Sequence, residues 1–124
     1  MTAHRIGIVG YGNLGRGVEL AVSLQEDMEL VGVFTRRDPA TVTTAHEGTP
    51  VRSMDTLEQM QGEIDVLVLC GGSKTDLPVQ TPRLAERFTV VDSFDTHARI
   101  PEHFTAVDAA ARAAGTTALI STGW

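Results

Sequence analysis

The chain is short of several residues, and each shortage excludes something. One cysteine in 124 residues leaves no internal disulfide framework and no multi-cysteine zinc site. The four histidines fall at no metal-ligand spacing, so no metal is expected. Lysine is almost missing: of ten basic residues only Lys74 is a lysine, and against 16 acidic residues the formal net charge is −6. That balance argues against a broad nucleic-acid surface, while guanidinium forks still suit a local phosphate site. No run approaches the ~20 apolar residues that span a bilayer. The opening Met1-Thr2-Ala3-His4-Arg5 passes straight into an apolar stretch without signal-peptide architecture, so the expected compartment is the cytoplasm. Aromatics make up 5%, yet 42% of the chain is apolar and 21% charged, the balance of a folded domain rather than a disordered tail. At this length one domain is expected, burying roughly two-thirds of its unfolded surface.

Apolar residues recur with alternating strand and helix periods. Residues 5–9 form a short apolar run ending at a glycine, the pattern of a buried strand. Leu14, Val18, Ala21 and Val22 recur at helical spacing and predict a helix over 14–24. A strand is expected over 28–35, then a loop over 38–50 that carries Pro39, Gly48 and Pro50. Asp55 and Glu58, three apart, resemble the capping box of a short helix. Residues 64–70 (IDVLVLC), the most apolar run, are the expected central strand. Thr81-Pro82 reads as the Ncap–N1 pair of another helix, and residues 89–91 as the next strand. Pro101 and Glu102 open the clearest helix, with Phe104, Val107, Ala111 and Ala114 on one face and Gly115 as its stop. Residues 117–121 are the last strand. The chain ends directly after it, which reads as a domain boundary inside a longer protein.

Four loops at predicted strand ends carry chemistry. The first is Gly10-Tyr11-Gly12-Asn13-Leu14-Gly15, a G-x-G-x-x-G that leaves a strand and opens a helix. Gly10 permits a tight turn, Gly12 lets a pyrophosphate approach the backbone, and Gly15 lets the helix pack closely on the strand. The helix N-terminus then offers N–H groups to phosphate. With the repeated β-α order, this predicts an α/β, Rossmann-type doubly wound fold: a mostly parallel sheet with helices on both faces. The second loop, Thr35-Arg36-Arg37, stands where an NAD-preferring site would carry a carboxylate for the ribose 2′-hydroxyl. A hydroxyl and two guanidiniums suit a 2′-phosphate instead, so the expected cofactor is NADP(H). The third, Cys70-Gly71-Gly72-Ser73-Lys74-Thr75-Asp76, brings pliant backbone and hydroxyls to the nicotinamide end. Cys70 there is expected to be a buried small hydrophobe, and Asp76 a helix cap. The fourth, Asp92-Ser93-Phe94-Asp95-Thr96-His97, offers Asp95 to a substrate ammonium and His97 as a hydrogen-bond donor; loop polarity explains the same residues. His4, His46 and His103 read as surface residues.

In this order the loops resemble the N-terminal NADP-binding domain of the meso-diaminopimelate D-dehydrogenase family. The resemblance rests on IGIVGYGNLGRGVE, LVGVFTRRDP, LCGGSKTDLP, VVDSFDTHARIPEHF and ISTGW. It implies NADP-dependent oxidative deamination of the D-centre of meso-2,6-diaminopimelate to L-2-amino-6-oxopimelate and ammonia. The reverse reaction serves lysine and cell-wall precursor synthesis. It further implies that Tyr11, Gly12, Asn13 and Leu14 contact the diphosphate, and that Thr35, Arg36 and Arg37 hold the 2′-phosphate. Cys70 to Ser73 and Asp95, Thr96 and His97 would line the nicotinamide side, and Asp95 and Trp124 would border the substrate, with Asp95 as the candidate catalytic group. Arg99 stands where some relatives carry an acidic residue. The family continues past this point with a substrate-gripping domain through which it dimerises, so the present piece is expected to be monomeric. A free-standing NADP-binding module without catalysis and a broad-specificity D-amino-acid dehydrogenase remain alternatives.

Overall fold

The computed structural model describes residues 3–122. Six strands form one sheet: β1 (His4–Val9), β2 (Met28–Thr35), β3 (Val51–Ser53), β4 (Val66–Leu69), β5 (Val90–Asp92) and β6 (Ala118–Leu119). All neighbours pair in parallel, in the order β3-β2-β1-β4-β5-β6. Three α-helices connect β1 to β2, β4 to β5 and β5 to β6 in turn: α1 (Asn13–Ser23), α2 (Leu77–Ala85) and α3 (Ile100–Ala114). The strand order reverses at β1. Right-handed crossovers therefore send α1 to one face and α2 and α3 to the other. A sheet covered on both faces needs strands that are apolar on both sides. Accordingly Ile8, Val9, Val33, Phe34, Leu67, Leu69 and Val90 are all 0% exposed. The reversal also opens a crevice between the ends of β1 and β4, where doubly wound sheets bind ligands.

The predicted strands and the third helix stand, and several details do not. β3 was hidden behind the expected 38–50 loop. It is three residues long and owes its strand form to the β2 edge, where Val33 lies opposite Val51. The short helix after it is a 3₁₀ helix, Met54–Met60, capped by Ser53, whose hydroxyl accepts from the Asp55 N–H at 3.2 Å. Asp55 is thus inside the first turn rather than its cap. α2 begins five residues earlier than Thr81-Pro82 suggested. Pro78 takes the first-turn position, Pro82 lies inside the helix, and Thr81 is fully buried.

On the helices the buried stripes run one step aside from the apolar ones. α1 buries Gly15, Glu19 and Val22, and leaves Leu14 44% exposed. α3 buries His103, Val107 and Ala111, while Phe104 is 57% exposed and Ala114 is exposed too. His103 is therefore a core residue and not a surface one. Gly115 ends α3 as expected, in the left-handed conformation at φ 73°, which a residue with a Cβ adopts at a cost.

Candidate functional site

The carboxyl ends of β1, β2, β4 and β5 bring the four loops to one edge of the sheet. Gly10 turns the chain at φ +85°, with Gly71 N and Cys70 backbone within 3.5 Å of where a Cβ would sit. Gly15 packs tightest: a Cβ there would lie 2.6 Å from the Gly10 carbonyl oxygen. Gly12 is the opposite case, since a Cβ on it meets nothing within 4 Å. The backbone at Gly12 thus borders open space, and no side chain caps the α1 N-terminus. Uncapped first-turn N–H groups beside a bare glycine are suited to a pyrophosphate.

At the end of β2, both arginines are anchored by one donor each. Arg36 Nη2 reaches Asp76 Oδ1 at 2.5 Å, and Arg37 Nη2 donates to the Tyr11 carbonyl at 2.8 Å. Each guanidinium keeps further donors for an anion. Thr35 is turned inward, 3% exposed, and its Oγ1 accepts from the Arg37 N–H at 3.1 Å. Its hydroxyl shapes the turn instead of facing a phosphate. Beside Arg36 a groove of about 540 Å³ runs between the 3₁₀ helix and α2, lined by Met54, Leu57, Thr75, Val79 and Gln80, a size ordinary for ligand sites.

The third loop differs from its reading. Asp76 sits at the first position before α2, yet its side chain makes no cap. It turns back, Oδ2 accepting from the Gly72 N–H at 3.1 Å and Oδ1 pairing with Arg36, so it ties the third loop to the second. Gly71 lacks a side chain for packing reasons: a Cβ would meet the Asp76 Cβ at 2.9 Å and Gln80 Oε1 at 3.1 Å. Burial pushes the Cys70 thiol up to about 12, which leaves it without nucleophilic character at neutral pH.

The third and fourth loops meet where the Asp95 N–H donates to Ser73 Oγ at 2.8 Å. Asp95 and His97 are both exposed, and Thr96 is half-buried. The fourth loop is set by Asp92, 1% exposed, a residue that sequence reasoning gave no role. Its carboxylate accepts from Thr81 Oγ1 (2.7 Å), Phe94 N (3.1 Å) and Ser121 N (2.8 Å), and meets His103 Nε2 at 2.7 Å. The His103 ring stacks on Phe94 with centroids 4.0 Å apart. A buried carboxylate with this many partners fixes the exits of both β5 and β6. Trp124 lies outside the described residues.

Glu19 is the other group missed. It is 0% exposed and sits one helical turn beyond Gly15. Tyr11 Oη donates to it at 2.5 Å, Thr49 Oγ1 at 2.6 Å, and the Ala45 and His46 N–H groups at 2.9 and 3.1 Å. Burial alone would raise its pKa, but these hydrogen bonds prevail and hold it at about 2. The Tyr11 phenol is pushed up, by its own burial and by the bond to Glu19. The signal in the sequence was a glutamate on the buried stripe of an otherwise apolar helix face.

The parallel order and the glycine loop at its switch point define a Rossmann-type dinucleotide-binding domain. No protein-family model matches the chain. It is nevertheless homologous along its whole length to meso-diaminopimelate D-dehydrogenases. The Lysinibacillus sphaericus enzyme is 60% identical over 124 residues, all of this chain and 38% of the relative. The Corynebacterium glutamicum enzyme is 48% identical over all of this chain and 37% of its own length. Among solved structures, the C. glutamicum dehydrogenase in complex with DAP matches with TM-score 0.90 and 47% identity, covering 100% of this chain and 37% of that one. An engineered D-amino acid dehydrogenase bound to NADP+ matches with TM-score 0.89 and 46% identity, covering 99% and 37%. Staphylococcus aureus homoserine dehydrogenase, at 13% identity and TM-score 0.73, shares the fold alone. The chain spans well under half the length of the dehydrogenases it matches. Among the described residues no helix is long and apolar enough to cross a membrane.

Proposed function

We propose that this chain is the NADP(H)-binding part of a meso-diaminopimelate D-dehydrogenase. The observation that carries the reading is the pair of anchored guanidiniums, Arg36 and Arg37, beside the uncapped glycine helix. Gly10, Tyr11, Gly12, Asn13, Leu14 and Gly15 form the diphosphate cradle. Arg36 and Arg37 hold the 2′-phosphate on the turn that Thr35 shapes, with the adenine in the groove beside Arg36. Cys70, Gly71, Gly72, Ser73, Asp95, Thr96 and His97 line the nicotinamide end.

In the net reaction, meso-2,6-diaminopimelate, water and NADP+ give L-2-amino-6-oxopimelate, ammonia, NADPH and a proton. When bound, the dinucleotide supplies the hydride acceptor. The chain's own task is to orient. Asp95 is exposed on the fourth loop, and its carboxylate would hold the substrate ammonium. The bond from its N–H to Ser73 keeps the two loops in register. Trp124 would complete the substrate border. The remainder of a full-length relative would supply the distal half of the substrate pocket and the dimer contact, in the cytoplasm.

Calorimetric titration with NADPH and, in parallel, NADH tests the reading. Two charge-assisted contacts favour the 2′-phosphate by about 2–4 kcal/mol, on the order of 30- to 1000-fold. Equal affinity for the two dinucleotides would refute the role given to the arginines, and binding of neither would refute the cofactor site as drawn from this chain.

A further inference from the structure

Glu19 takes no part in the chemistry above, yet it is a fully buried carboxylate whose hydrogen-bond partners are all neutral. Burying an ionised group without a cation is costly, and an apolar side chain would fill the space with less loss of hydration. What the carboxylate adds is direction. Its donors come from two places in the chain: Tyr11 in the glycine loop, and Ala45, His46 and Thr49 in the segment that runs from Arg37 toward β3. Tyr11 Oη also accepts from the Ala45 N–H at 2.8 Å. One side chain therefore fastens both segments together.

Tyr11 is held at its other end as well. Its carbonyl accepts from Arg37 Nη2 at 2.8 Å, while the Arg37 N–H is fixed on Thr35. The ring hydroxyl of Tyr11 is thus tied to Glu19 and its carbonyl to Arg37. Movement of the ring carries the carbonyl with it, and with the carbonyl the guanidinium that rests on it. A long, flexible arginine gains from such anchoring because less rotamer freedom remains to be lost when a ligand binds.

We propose that Glu19 is a positioning residue for the 2′-phosphate site, acting through Tyr11 on Arg37 and so setting discrimination between NADP(H) and NAD(H). The proposal rests on the NADP(H) reading above. An effect on folding alone would weaken both dinucleotides alike. A positioning effect would weaken NADPH selectively and vanish once Arg37 is gone.

The test is calorimetric titration of NADPH and NADH into the wild-type chain, Glu19→Gln, Tyr11→Phe, Arg37→Ala and the Glu19→Gln/Arg37→Ala double variant. Glutamine keeps the shape and can still accept from His46 and Thr49. Tyr11→Phe removes one hydroxyl and leaves Glu19 ionised, so it serves if the first variant does not fold. The expected result is a five- to tenfold rise in the NADPH Kd for Glu19→Gln with the NADH Kd within twofold of wild type, and for Tyr11→Phe a five- to tenfold fall in the preference for NADPH over NADH. In the Arg37→Ala background, Glu19→Gln should leave the NADPH-to-NADH ratio within twofold of Arg37→Ala alone. A parallel loss for both dinucleotides, no loss, or an undiminished change of ratio without Arg37 overturns the inference while wild-type selectivity keeps the NADP(H) reading. A wild-type chain that does not discriminate overturns both.

Discussion

Two glycines of α1, two residues apart, should respond to alanine with opposite sign. A Cβ on Gly15 would sit 2.6 Å from the Gly10 carbonyl oxygen and 3.3 Å from Tyr11 Cδ1, whereas one on Gly17 meets nothing within 4 Å. The first clash is with backbone, which cannot rotate away, so the helix must retreat from β1 by more than half an ångström. Overpacking of this kind costs about 1–3 kcal/mol. Replacing a helical glycine returns about 0.5–1 kcal/mol of backbone entropy. Gly15→Ala should therefore be destabilised by about 1–2 kcal/mol and Gly17→Ala stabilised by about 0.5–1 kcal/mol. Urea denaturation reads the gap directly: at a slope of about 1–3 kcal/mol per molar, the midpoints should differ by about 1 M. Thermal midpoints should separate by several degrees. If both variants shift the same way, or Gly15→Ala is the more stable, the close packing of α1 on the glycine loop is not what holds that turn.

Three further outcomes follow from the same geometry. Gly12→Ala should fold within about 0.5 kcal/mol of wild type, because its Cβ meets open space; its NADPH Kd should rise at least about tenfold, and unchanged binding would move the pyrophosphate elsewhere. Glu19, held at about 2 against an ordinary 4.5, contributes stability that is complete above pH 4.5 and is lost as pH falls toward 2. The shift corresponds to about 3 kcal/mol, so the stability gap between wild type and Glu19→Gln should narrow across that window in urea titrations at pH 7, 4 and 2.5; a constant gap would refute it. Cys70, pushed up to about 12, should be alkylated by iodoacetamide at pH 8 on the order of 10³-fold more slowly than in the urea-unfolded chain, and equal rates would show that the thiol is open.

Much of the fold is legible in local pattern, because a parallel sheet demands apolar runs and a glycine loop demands glycines at fixed spacing. The runs at 5–9, 28–35 and 64–70 and the stop at Gly115 are all of this kind. β3 was not, since three residues at an edge carry no periodicity, and the β2 edge alone makes them a strand. Thr81-Pro82 misled for a related reason: Pro78 meets the same first-turn rule, and the buried bond from Thr81 to Asp92 that extends the helix past Pro82 is invisible in a local window. Asp76 looked like a cap, and tertiary contact with Arg36 turned its carboxylate away.

The alternation of the long strands with helices, the glycine turn after β1 and the placement of two arginines after β2 were determined by the sequence itself, because each depends on neighbours a few residues away. The roles of Glu19, Asp92 and His103 were decided only by the tertiary structure. Each is a polar group on a buried face, and polarity alone assigns such residues to the surface. They are stable inside because donors and acceptors arrive from distant segments: Thr49 and Ala45 for Glu19, Thr81 and Ser121 for Asp92, Asp92 itself for His103. The free energy of a buried polar group depends on its partners, and partners are settled by the fold.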